Sequence, residues 1–140
     1  MDVAAAVMIY LILLMSVFMV ITVSRSSYVF VSDHLGDLVR ASAIIMVILA
    51  VIYVIYTKRF IGYMLDISAL TVIPLHYMYL FSIPKIMSLV LLPFFNLLKG
   101  VTVSGKEYSL LSMDFAQLAL LIIILRHRKT IINKLKALTH

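Results

Sequence analysis

The chain has 140 residues, 64% of them apolar and 13% charged, with a mean hydropathy of +1.15 and a formal net charge of +6. A soluble domain carries about 25% charged residues, and one this small buries only part of what it exposes, so lipid must be the solvent for most of the chain. Cysteine is absent, which excludes disulfides, thiolate metal sites and thiol nucleophiles.

Residues 3–23 form an uncharged run of 21 residues, enough for about 30 Å of hydrocarbon as a helix. Asp2 precedes it and no Lys or Arg does, so it reads as a retained span rather than a signal peptide. The polar interval 24–40 follows. Ser32 suits an N-cap, Asp33 the first turn, and Asp37 and Arg40 fall at i, i+3. Asp33, His34 and Asp37 read as a solvated interfacial turn rather than a metal site. Residues 41–57 make the second span, stopped by Lys58 and Arg59.

Residues 60–83 make the third span, closed by Pro84 and Lys85. Pro74 lies in its middle, frees the carbonyl of Leu70 and should bend the helix. Residues 86–98 are short for a crossing and predict either a thin tilted span or a re-entrant segment, with Pro93 as a further bend. Residues 101–108 read as a tight loop, and 109–125 as the last span, interrupted only by Asp114 and Gln117. In the tail, Ile131, Ile132, Leu135 and Leu138 recur at helical spacing. Arg126, Arg128, Lys129, Lys134 and Lys136 supply the basic character, which predicts an interfacial helix on anionic lipid headgroups.

The expected fold is therefore all-α: a polytopic transmembrane bundle of four or five spans over 1–125, with a basic amphipathic tail over 126–140. Both span counts place the C-terminus in the cytoplasm by the distribution of Lys and Arg. The start of the chain, which lacks Lys, favours five spans.

Ionisable groups inside spans are the functional candidates, because each is costly in hydrocarbon. Three qualify: Asp66, His76 and Asp114. With five spans the two carboxylates share a leaflet and can hold a proton or a cation between them; with four they lie in opposite leaflets and cannot meet. The plainer expectation is that each acid caps or hydrogen-bonds a neighbouring helix. His76 is expected to bond the carbonyl that Pro74 frees, since a haem would need a second histidine at matching depth. Neither a nucleophile elbow nor a phosphate loop nor zinc-protease histidine spacing is present in the sequence.

The run 82–129, with its proline start, FFNLLKGVTVSGKEYSL and a closing helix ending in RHRK, resembles the middle of the exosortase and archaeosortase membrane proteins. That family places a Gly-x-Val-x-x-x-Gly loop before a helix bearing its catalytic cysteine. Gly100, Val103 and Gly105 approximate the loop, but the helix position reads MDFAQLALL without a cysteine, so the resemblance assigns no catalytic residue.

These readings lead first to a non-catalytic subunit or accessory factor of a larger membrane complex, without cofactor or metal. Its partners would be an anionic bilayer and a membrane protein or further copies of itself, not a nucleic acid. The alternatives are an ion or proton pathway using Asp66 and Asp114, a holin-like oligomeric pore, and, last, a degenerate exosortase-like protein.

Overall fold

A computed structural model describes residues 3–26, 34–82, 88–101 and 105–138. Among the described residues there are four helices and one small sheet: α1 (Val3–Ser26), α2 (His34–Ile55), α3 (Arg59–Ser82), β1 (Ser88–Leu92), β2 (Phe95–Val101), β3 (Glu107–Met113) and α4 (Phe115–Leu138). The protein is thus mostly helical, and α1, α2 and α3 are each long and apolar enough to cross a membrane. Ser32, Asp33 and Pro84, given roles from the sequence, lie outside the described residues.

α1 and α3 follow the expected apolar runs closely. α2 begins before its apolar run: residues 34–40 are helical, Asp37 is buried, and its carboxylate pairs with Arg40 at 2.9 Å. The reading of Asp37 as a solvated turn residue is corrected by this burial. Gly36 and Ala41 beside it are small enough for neighbouring elements to approach. Tyr56–Lys58 is the short link that turns the chain from α2 into α3, and the Gly62 amide bonds back to the Lys58 carbonyl at 3.1 Å.

The core lies where α1, α2 and α3 meet, around Tyr10, Met46, Leu65, Ala69 and Val72, and Ala119 of α4 reaches into it. α4 packs along α3 in the opposite direction. Asp114, just ahead of the first residue of α4, meets His76, whereas Arg126, a little over three turns on, meets Asp66 and Gly62. Small buried residues, Ala69 on α3 and Ala116 and Ala119 on α4, let the backbones approach closely, and Gly62 leaves room for the Arg126 side chain. Pro74 lies within α3, which runs through it as one helix.

The largest departure from the all-α expectation is the three-stranded antiparallel sheet, in order β1-β2-β3, between α3 and α4. The segment 86–98 does not form a short helical crossing or re-entrant helix; its described part is a β-hairpin. Its physical reason is Pro93. In a 13-residue helix it would remove a hydrogen bond at the centre, whereas in the hairpin Leu92 pairs with Phe95 and Pro93 occupies the turn, where no ladder bond is needed. Pro93 is therefore a turn residue and not a helix kink. β2 shows the period of a strand, with Asn96, Leu98 and Gly100 buried and Phe95, Lys99 and Val101 exposed. Gly100 is paired with Tyr108, whose ring folds over it; a Cβ there would come within 2.6 Å of the Tyr108 hydroxyl.

The expected span 109–125 and the tail also divide differently. Residues 107–113 are a strand, and 115–138 are one unbroken helix that joins the second half of that span to the tail.

The antiparallel α3–α4 contact puts the start of α3 and the middle of α4 at the same end of the molecule. Single-cysteine variants Lys58→Cys and Lys129→Cys, made in the cysteine-free chain, should therefore react with an impermeant maleimide from the same side of sealed vesicles. Labelling from opposite sides would contradict the contact.

Candidate functional site

Two polar clusters interrupt the α3–α4 contact, one near each end. At the sheet end, His76 of α3, Asn96 of β2 and Asp114 converge. All three are almost completely buried, with His76 4% exposed and the other two 0%. His76 Nε2 lies 3.1 Å from Asn96 Nδ2 and 3.4 Å from Asp114 Oδ1, and the Phe115 ring stands edge-on to the imidazole at 6.2 Å.

Asp114 has a clear structural role: it is the N-cap of α4. Its Oδ1 accepts from the Gln117 amide at 3.0 Å, the bond expected between an N-cap and the N3 position. Gln117 in turn binds the β1–β2 turn. Its Nε2 donates to Asp114 Oδ2 at 2.9 Å and to the Leu92 carbonyl at 3.2 Å, and its Oε1 accepts from the Phe94 amide at 2.9 Å. The Asp114 amide donates to the Phe94 carbonyl at 2.8 Å. Together these bonds hold Phe94 at φ 62°, a conformation that a bulky residue adopts only when its surroundings fix it.

One ring nitrogen serves two neighbours in this cluster. With the proton on Nδ1, His76 Nε2 accepts from Asn96 Nδ2. With a proton on Nε2, the ring donates toward Asp114, and the Asn96 amide has to rotate to present its oxygen. In the arrangement observed, His76 Nδ1 and Asn96 Oδ1 are buried without a hydrogen-bond partner among the described residues. His76 does not bond the Leu70 carbonyl. Six residues along a helix place the two about 120° apart, so the ring points toward α4 and β2 while Leu70 is exposed.

At the other end, Asp66 of α3 forms an ion pair with Arg126, and both its oxygens lie 3.2 Å from His127 Nε2. The Arg126 guanidinium carbon is 5.2 Å from the Tyr53 ring centroid, a cation–π distance that ties α2 into the cluster. Gly62 makes room for this side chain, because a Cβ there would collide with the guanidinium. Arg126 thus faces inward and is not available to lipid headgroups, whereas Arg128, Lys129, Lys134 and Lys136 remain exposed.

Asp66 and Asp114 therefore do not form a pair. Each has found a separate partner set, about 15 Å apart along α3 by the spacing of Asp66 and His76. Asn96, Gln117, Arg126 and His127 complete the clusters, and the sequence reading assigned none of them an interior role. Gln117 carried a usable signal: Asp-x-x-Gln is a capping-box pattern. Among the described residues no group of three or more His, Cys, Asp or Glu could hold a metal ion.

Comparisons with family models, with curated proteins and with solved structures returned no match.

Two substitutions test the assigned roles by thermal unfolding in detergent. Asp66→Ala leaves the Arg126 charge buried without its partner and should cost about 3–5 kcal/mol, while Asp66→Leu combined with Arg126→Met should recover most of that loss. Gln117→Ala removes the acceptor of the Phe94 amide and should cost about 0.5–1.5 kcal/mol. An unfolding midpoint unchanged by either single substitution would remove that residue from its assigned role.

Proposed function

We propose that this protein is a non-catalytic integral membrane subunit that docks a larger membrane partner through its three-stranded sheet. The observation that carries this reading is the character of the sheet. β1 and β3 are both edge strands, and Leu91, Leu92, Phe94, Phe95, Leu110 and Leu111 are exposed on it. Adjacent strand residues such as Leu110 and Leu111 point to opposite faces, so both faces are apolar.

Exposed apolar helices in a membrane protein require nothing but lipid. An open sheet edge differs, because its unpaired N–H and C=O groups have no partner in hydrocarbon and, in water, would offer a template for adventitious pairing. Asn96 lies against His76, two turns below the last residue of α3, so the turn end of the hairpin sits beside a candidate span. At the opposite end, Lys99, Lys106 and Glu107 mark the polar side of the sheet. A partner strand laid along β3 would satisfy its backbone and cover Leu110 or Leu111.

In this reading the bilayer is crossed four times. The fourth crossing is composite: the apolar end of β3 followed by the first half of α4. The cytoplasmic face then carries Lys58, Arg59, Arg126, Arg128, Lys129, Lys134 and Lys136, against Arg25, Arg40, Lys85, Lys99 and Lys106 outside. The ion-pathway alternative has less support, since Asp66 and Asp114 occupy separate clusters and each is engaged there.

The test is purification from native membranes under mild detergent. The wild-type chain should co-elute with one stoichiometric membrane partner. Leu110→Ala combined with Leu111→Ala should reduce co-elution while the unfolding midpoint of the isolated chain shifts by less than about 1 kcal/mol equivalent, as expected for exposed positions. A chain that runs monodisperse and alone from native membranes would refute the proposal.

A further inference from the structure

The last third of α4 is the second feature that the core does not use. Arg126 packs against Gly62, three residues into α3, so α4 passes the start of α3 at about Thr130 and continues for some 12 Å. Every residue from 128 to 138 is exposed. The stripe Leu121, Ile124, Arg128, Ile131, Leu135 and Leu138 alternates in steps of three and four, the a/d spacing of a coiled coil. At 100° per residue it lies within about 60° of the direction diametrically opposite Arg126. One face of α4 therefore holds α3, and the opposite face presents a heptad seam that runs on from the bundle to the end of the helix.

The charges select among occupants. α4 contains Arg126, Arg128, Lys129, Lys134 and Lys136 and no acidic residue. Two copies paired on this seam would place Arg128 against Arg128 with no carboxylate in either helix to compensate, which disfavours a homodimer. A bilayer surface fits the charge but not the direction. α4 is unbroken and lies lengthwise on α3 between the Asp114 and Arg126 contacts, so its end continues along the bundle axis instead of turning across it.

We infer that the α4 seam forms a two-stranded coiled coil with an acidic amphipathic helix of the partner subunit. That helix has an apolar seam of its own, a carboxylate facing Arg128 and carboxylates flanking the seam near Lys134. The inference rests on the chain being a subunit of a larger assembly, and it names the chemistry of a second contact separate from the sheet. A charged residue at a single seam position costs stability and fixes register and partner, which is the role assigned to Arg128.

The probe is a three-heptad synthetic peptide with Leu and Ile at its a and d positions, Glu at one central a position, and Glu at e and g. A counter-peptide carries Lys in place of every Glu. Each is titrated by fluorescence anisotropy onto the full-length protein in nanodiscs of zwitterionic lipid. The acidic peptide should bind at least about tenfold more tightly than the basic one, and its affinity should fall as salt rises. Ile131→Asp should weaken binding by a similar factor. Arg128→Glu with Lys134→Glu should invert the preference toward the basic peptide, an outcome that loss of folding cannot mimic.

Equal binding of the two peptides, or binding of neither, overturns the inference. So does a disulfide-linked dimer of Ile131→Cys as the dominant species, which assigns the seam to a second copy. Loss of peptide binding on adding anionic lipid, with a fluorophore at position 131 moving into an apolar environment, assigns it to the bilayer. Because the sheet substitutions leave α4 untouched, failure here with co-elution intact rejects only the coiled coil.

Discussion

The close, antiparallel contact between α3 and α4 is the constraint on which the rest of the molecule depends. In lipid, two apolar helices gain nothing from hiding hydrocarbon from hydrocarbon, so association rests on packing and on polar contacts. Ala69, Ala116 and Ala119 supply the packing. They do not fix which residue of α4 lies opposite which residue of α3, because small residues tolerate sliding. The two polar clusters do that: Asp66 with Arg126 and His127 at one end, His76 with Asn96 and Asp114 at the other. A slip of one turn would leave a buried charge unpaired at one end and separate His76 from Asp114 at the other.

Once that register is set, the sheet and the tail have little freedom. Asp114 follows β3, caps α4 and touches His76, and together with the Asn96–His76 contact it fixes the hairpin against the bundle. Gln117 then holds the turn at Pro93 and Phe94 from the first turn of α4. The result is a positive φ at a phenylalanine, a position where glycine or asparagine is usual. The local preference of the chain is overridden by tertiary hydrogen bonds, a pattern common where a turn must be held in one place.

This explains what the sequence made legible and what it did not. α1 and α3 were readable to within a few residues, because an uninterrupted apolar run of membrane-spanning length has few other uses. The start of α2 was not, since Asp37 and Arg40 look like surface residues until their pairing and the burial of Asp37 are seen. The hairpin was missed because a 13-residue apolar run with a central proline fits a bent helix and a turn equally well by periodicity alone. Arg126 illustrates the limit for the candidate site. In a basic tail it reads as one headgroup ligand among five; only the space left by Gly62, more than sixty residues earlier, shows that this one turns inward.

The same contact decides how exposure should be weighed. Met8 and Ile12 of α1 are exposed on a candidate span, where lipid would cover them at no cost. The edges of β1 and β3 are a different matter, since an unpaired peptide group is expensive in hydrocarbon whatever side chain it carries. Beyond Thr130, Ile131 and Leu138 are exposed past the start of α3, where the bundle no longer shields them. Apolar character alone would single out α1, the most apolar of the candidate spans. By the cost of each group in its own solvent, the strand edges and the exposed Ile131 and Leu138 of α4 weigh more than the apolar surface of α1.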